Sequence, residues 1–305
     1  MSVPQTVQVL APAKINLALH VTGQRKDGYH LLDSLVGFAA SGDTLTVTAP
    51  GNGGLSLSGP FARQVPQDRS NFILQMAERA WPDMEMSFHL HKELPVASGI
   101  GGGSADAAAC YRAIAMLRRI ALPDDNTMLL TDERIAALAD LGADIPMCVH
   151  SEAAHVQGIG EEITLLEDMP ALPVVLVNPG VAVSTPIVFK VLKNRQNAPM
   201  TLLPKALDAS GFVRWLAEQR NDLQEPACDT VPEIKPVLAA LAVAQGCVLA
   251  RMSGSGATCF GVFDSQGAAS EAAGALKQHH PEWWVRPTVV NGPSRASPQR
   301  MRSTT

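Results

Sequence analysis

The residues with the strongest claim to chemistry are Leu94-Pro95-Val96-Ala97-Ser98-Gly99-Ile100-Gly101-Gly102-Gly103-Ser104-Ala105-Asp106-Ala107-Ala108-Ala109. Gly99 to Gly103 holds four glycines in five positions, an arrangement that costs conformational entropy and adds nothing to a core, so bare backbone is required there. Ser104 is expected to cap a following helix whose apolar side carries Ala113, Ile114 and Leu117. A glycine loop entering a helix presents unpaired N–H groups and the positive end of the helix dipole, which makes an anion site suited to a phosphate chain. The alternative is a tight structural turn, which needs only one or two glycines. Two familiar phosphate loops fail on spacing. No lysine closes the loop as a Walker motif demands, and the third glycine of a dinucleotide fingerprint falls on Ser104 or Asp106. The positive charge for a phosphate must come from elsewhere.

Lys14 and Asn16 share one face of an expected strand and together offer a cation and an amide; a solvated strand face is the alternative. Asp144 stands alone among apolar residues in Ala143-Asp144-Ile145-Pro146-Met147. If buried, it must meet a cation, donors or a substrate proton, unless it caps the next turn. Tyr29 beside His30 fits stacking on a planar ligand, and equally an amphipathic strand end. A second glycine turn, Ser253-Gly254-Ser255-Gly256, lies between two strand-like segments, either as plain hairpin chemistry or as backbone that approaches a ligand. His89 and His91 share a strand face without an evident third metal ligand.

The elements that must position these groups follow from periodicity. Val7 and Val9 begin a strand that Ala11-Pro12-Ala13 is expected to break before Lys14 to Val21. Tyr29 to Val36, Leu45 with Val47, Leu55 with Leu57, and Met86 to His91 read as further strands. Helices are expected over 71–81 and 133–141, with Ala153 to Ile159 as the last strand of a first domain and Glu161-Glu162 as solvated loop charges. The proline-rich Met169 to Pro173 marks the boundary, giving domains over 1–168 and 169–290 and a disordered tail over 291–305. Beyond it come a strand at Val174 to Val177, a short helix from Pro186 bearing Phe189, a helix from Ile234, a hairpin around Gly254, a helix over 268–276 and a last strand from Trp283.

The bulk properties restrict the function classes. A chain of 305 residues with 46% hydrophobic and 17% charged residues has ample core for two domains. A net charge of −5 without a basic run offers no footprint for nucleic acid. The five cysteines form no close pairs, which points to neither zinc nor disulfides and fits a cytoplasmic setting. No apolar run is long enough for a membrane span, so no membrane partner is expected.

Pro12 to Leu17, Leu94 to Ala109 and Arg251 to Phe260, in this order, resemble the three motifs of the GHMP small-molecule kinases. Asp27-Gly28-Tyr29-His30, Gly142 to Pro146, Thr185-Pro186 with Phe189, and Asn221-Asp222-Leu223 are similar to the branch of that family that phosphorylates 4-diphosphocytidyl-2-C-methyl-D-erythritol in non-mevalonate isoprenoid synthesis. The likeness extends to about Asn291. It implies a two-domain α/β (α+β) chain, with an N-terminal ribosomal S5 domain 2-like fold and a C-terminal ferredoxin-like domain. It implies ATP with Mg²⁺, whose protein ligand the sequence does not assign. The ATP phosphates would lie on Pro95 to Ala105, Asp144 would be the base and Lys14 its partner. Asn16, Tyr29, His30 and Phe189 would surround the cytidine diphosphate, aromatic rings sandwiching the cytosine, and Gly254, Ser255 and Gly256 would close on the phosphates. Ala105 stands where many relatives have serine. A kinase of homoserine, mevalonate or a sugar, and a nucleotide-binding module without turnover, are the rival readings.

Overall fold

The computed structural model describes residues 4–122, 130–204, 208–291 and 299–300. Its first two strands, β1 (Gln5–Gln24) and β2 (His30–Ala49), are 20 residues each and pair antiparallel throughout. The break expected at Ala11-Pro12-Ala13 is absent. The strand runs through it with a register shift between Pro12 and Lys14, where an irregular ladder does without the N–H that proline lacks. Opposite, a Cβ on Gly42 would sit 2.0 Å from the Ala11 carbonyl oxygen, so glycine permits the two strands to touch and β2 to continue through what the sequence reads as separate strands.

β3 (Leu55–Ser58) precedes α1 (Phe72–Ala80) and β4 (Ser87–His91), and β3 lies parallel to β4, which pairs with the far half of β2. α2 (Gly102–Ala121), α3 (Asp132–Ala136) and α4 (Ile145–His150) follow. β5 (Ala154–Gly158) then pairs with the near half of β2. The expected helix over 133–141 is only α3 and a 3₁₀ turn. β5 is not the last strand of this half, because β6 (Glu162–Leu165) pairs with it where loop charges were expected. The alanines of α2 let it lie close on β1, and Ala108, Ala109, Ile114 and Leu117 are buried against Val9, Leu45, Ile73 and Met76.

The second half contains β7 (Leu172–Asn178), α5 (Thr185–Val191), α6 (Ala209–Ala217), α7 (Gln224–Thr230) and α8 (Ile234–Ala242). β8 (Cys247–Met252), β9 (Cys259–Phe263), α9 (Gln266–His279), β10 (Trp284–Val290) and β11 (Gln299–Arg300) complete it. Its strands follow the antiparallel order β10-β7-β9-β8. β10 touches β2 through Val290 and Ala39, joining both halves into one sheet. A shared core of Ile15, Leu17, Val174, Leu176 and Phe260 seals the joint. Arg251 crosses it: its buried guanidinium donates to the carbonyls of Leu17, Leu216 and Gln219, and burial pulls its pKa down to about 10. Of the tail expected to be disordered, β11 pairs with β1 and residues 292–298 and 301–305 lie outside the described set. Among the described residues no helix is long and apolar enough to cross a membrane.

Candidate active site

Gly101 takes the left-handed conformation (φ 64°) and occupies the cap position of α2 without any side-chain cap bond. Ser104 is therefore the third residue of the helix and not its cap, as the sequence led one to expect. The Ala105 N–H makes the first helical bond, to the Gly101 carbonyl at 2.8 Å, so the N–H groups of Gly102, Gly103 and Ser104 precede the hydrogen-bonded ladder. These residues line a cavity of about 390 Å³ together with Lys14, Asn16 and Asp144.

β1 holds the loop from below. The Lys14 N–H donates to the Ile100 carbonyl at 3.0 Å, and a Cβ on Gly101 would come within 3.3 Å of the Lys14 Cβ. The Lys14 ammonium donates to Asp144 Oδ2 at 2.7 Å; the lysine side chain is 9% exposed and the acid 38%. The pairing places a cation and a carboxylate beside the helix entrance. It also corrects the expectation of a buried acid in an apolar setting: Asp144 opens α4, makes no cap bond and faces the cavity half-exposed.

The two glycine turns interlock. A Cβ on Gly99 would lie 2.7 Å from the carbonyl oxygens of both Ser253 and Gly256, and one on Gly254 would lie 2.9 Å from the Gly99 carbonyl oxygen. Ser253 Oγ donates to the Gly99 carbonyl and accepts the Asn16 N–H, each at 3.1 Å, and the Thr258 N–H donates to the Ser98 carbonyl at 3.1 Å. Much of the glycine content is thus explained by backbone meeting backbone between the halves of the chain. Gly254 and Ser255 line the cavity, with Ser255 Oγ 2.7 Å from Thr185 Oγ1, whereas a Cβ on Gly256 would meet Met252 Sδ.

At the far end of the cavity Phe189 of α5 stacks on His30 at the start of β2, with ring centroids 4.7 Å apart. The two rings already touch, so a planar ligand stacks on their outer faces or parts them. Burial, with Arg195 nearby, lowers the His30 pKa, and its Nε2 is buried without a protein partner. Tyr29, expected beside them, is 61% exposed and does not join the stack. Asn16 is held by its Nδ2 bond to Ser34 Oγ at 2.8 Å.

A second cavity of about 260 Å³ adjoins the first over Ala97, Gly102 and Gly103, and Pro95, Val96, Asn71 and Lys92 line it. Ile100 is fully buried and Ala105 nearly so, both facing the core. Beneath this cavity lies a group missed in the sequence. Lys92 is 2% exposed and donates to Asp43 Oδ2 at 2.6 Å and to Asp106 Oδ2 at 2.5 Å. A larger cavity of about 680 Å³, lined by Asn194, Arg220, Asp222 and Asp229, lies away from Lys14 and Asp144. Among the described residues no group of three or more His, Cys, Asp or Glu could hold a metal ion. His89 instead bonds Ser56 and Ser58, and His91 bonds Ser58.

Comparison with known proteins gives the chain's relatives. The model for the GHMP kinases N terminal domain matches residues 71–152, and that for GHMP kinases C terminal matches residues 204–282. The chain is 50% identical to a 4-diphosphocytidyl-2-C-methyl-D-erythritol kinase of Roseobacter denitrificans over 302 residues, 99% of each chain. A crystal structure of a 4-(cytidine 5'-diphospho)-2C-methyl-D-erythritol kinase superposes with a TM-score of 0.74 at 29% identity, covering 94% of this chain and 100% of that one. A homoserine kinase of Cytophaga hutchinsonii shares the fold alone, with a TM-score of 0.65, 18% identity and 99% of each chain covered.

Proposed function

The chain belongs to the 4-diphosphocytidyl-2-C-methyl-D-erythritol kinases of the GHMP kinase family, and from that membership we propose that it transfers the γ-phosphoryl group of ATP to the 2-hydroxyl of 4-diphosphocytidyl-2-C-methyl-D-erythritol. The observation that carries the assignment of roles is the Lys14–Asp144 pair, 2.7 Å apart beside the entrance of α2 in one cavity. ATP lays its phosphates on the free N–H groups of Gly102, Gly103 and Ser104, and its nucleoside end occupies the adjoining cavity against Pro95 and Val96. The acceptor's cytosine stacks at His30 and Phe189, and Asn16 and Ser255 line its path to the phosphates.

The acceptor hydroxyl oxygen forms a bond to the γ-phosphorus as the bond from that phosphorus to the ADP oxygen breaks, and the hydroxyl proton passes to Asp144. Transition states of this kind are loose, so positioning and charge supply most of the acceleration. Lys14 provides the cation that the glycine loop lacks and fixes the orientation of Asp144. Mg²⁺ would arrive with the triphosphate, held largely by phosphate oxygens and water, and would neutralise its charge there.

ADP release from Mg-ATP, assayed with 4-diphosphocytidyl-2-C-methyl-D-erythritol and in parallel with homoserine, mevalonate and galactose, tests this reading. Turnover with the cytidyl acceptor alone is expected. Turnover only with another acceptor would discard the cytosine site, and nucleotide binding without turnover would make the chain a binding module.

A further inference from the structure

The ion set beneath the phosphate loop is unevenly satisfied. Asp43 on β2 has three donors: Lys92 on Oδ2, and the N–H groups of Glu93 and Leu94 on Oδ1 at 2.6 and 2.8 Å. Asp106, one turn into α2, takes the Lys92 ammonium on Oδ2 and faces the Asp43 carboxyl within hydrogen-bonding reach, while its Oδ1 is buried without a donor. An ionised carboxylate with a bare buried oxygen is costly, whereas a neutral acid is much less so. Two carboxylates around one ammonium would also leave a net negative charge directly under the loop. A Cβ on Gly102 would lie 3.3 Å from Lys92 Nζ and 3.9 Å from Asp43 Oδ2, so the set lies directly under the loop, and Lys92 and Asp106 themselves reach the wall of the adjoining cavity.

We propose that Asp106 is a positioning residue for the ATP phosphates: its carboxyl, held protonated over Lys92, keeps the buried ion set neutral and leaves the loop receptive to an anion. This rests on the reading that the phosphates lie on Gly102 to Ser104. The groups facing Asp106 are Lys92 at the end of β4 and Asp43 on β2. From α4 the Cys148 thiol is pushed up to about 12 by burial and stays neutral, and the start of α1 contributes the uncharged Asn71 and Phe72. Burial raises the Asp106 pKa to about 7 against the opposing pull of Lys92, which puts the change of charge within the working range. Above that value the ionised form repels nucleotide, and bound nucleotide in turn draws a proton onto Asp106. One unit of charge at roughly 8 Å with an effective dielectric of about 20 alters affinity about thirtyfold before screening, so about tenfold is the expected effect in buffer.

The test is Mg-ADP binding to the full chain by calorimetry from pH 6 to pH 8.5, for the wild type and Asp106→Asn, with the heat measured in buffers of different ionisation enthalpy. Comparing the two proteins cancels the titration of the nucleotide itself. The wild type is expected to weaken about tenfold with rising pH relative to Asp106→Asn and to take up a fraction of a proton on binding near pH 7.5; the variant matches it at pH 6 and takes up less. Parallel affinity profiles, or no proton uptake by the wild type, overturn the proposal, and the second measurement decides even if the variant does not fold. Loss of acceptor turnover with this linkage intact overturns only the acceptor assignment, whereas absence of nucleotide binding overturns both.

Discussion

Gly99→Ala tests whether the two glycine turns act as one unit. Gly99 has φ 77°, in a region where an L side chain costs about 1–2 kcal/mol. The added methyl would lie 2.7 Å from the carbonyl oxygens of Ser253 and Gly256 and 2.8 Å from the Gly256 nitrogen, all backbone atoms that no rotamer change can move aside. Overpacking of this kind costs about 1–3 kcal/mol more, so the total is roughly 2–5 kcal/mol. At about 2–4 °C per kcal/mol for a large domain, melting should fall by about 4–20 °C. If the turns separate instead, the Ser253 bonds to Asn16 and Gly99 break and the loop shifts; a displacement of about 1 Å near the chemistry costs on the order of 100-fold in rate. Thermal melts and ADP-release kinetics read the two outcomes. Gly274→Ala is the control: it lies in α9 with nothing within 4 Å of its Cβ position, and should gain up to about 1 kcal/mol. A Gly99→Ala protein with unchanged melting and unchanged turnover would refute the interlock.

Two further predictions concern the acceptor end and the acid side of the pH range. Phe189→Leu removes the ring that stacks on His30, a contact of about 0.5–1.5 kcal/mol, and should raise the acceptor KM about three- to tenfold while leaving the ATP KM unchanged in steady-state kinetics. His20 accepts the Arg220 N–H at Nε2 (2.9 Å), and burial together with Arg220 lowers its pKa below 6.5. The unfolded chain therefore takes up that proton first, and stability present at pH 7 is lost as the pH falls through 6.5 toward the folded value. Melting followed from pH 7.5 to pH 5.5 should decline less steeply in His20→Gln.

The legible parts of the site are those whose meaning is local. Gly99 to Gly103, the helix behind them, the short helix bearing Phe189 and the hairpin around Gly254 are each announced within a dozen residues, because turn chemistry and periodicity act over that range. Lys14 and Asp144 are separately visible as chemical groups, yet their 2.7 Å contact spans 130 positions and follows only from β1 lying beside α4. Asp43, Lys92 and Asp106, 49 and 14 positions apart, likewise look like ordinary surface charges until β2, β4 and α2 bring them together. Pro12 misled because a proline in a strand reads as a stop, whereas the ladder slips past it. Ser104 misled because its residue type favours a cap, but Gly101, in the left-handed conformation and close against Lys14, takes the cap position three residues earlier. Tyr29 stands next to His30 in sequence but just before β2 begins, so only the histidine faces Phe189.

Asp144→Asn, assayed for phosphorylation of 4-diphosphocytidyl-2-C-methyl-D-erythritol with Mg-ATP binding measured alongside, addresses the central claim most directly. The substitution keeps the volume and an oxygen for Lys14 but removes the proton acceptor. Because the acid is half-exposed, loss of the ion pair should cost about 1 kcal/mol of stability or less. The account predicts a fall in kcat of roughly 10²–10⁴-fold, with ATP affinity within about threefold of the wild type. A kcat within tenfold of the wild type would contradict the assignment of Asp144 as the base.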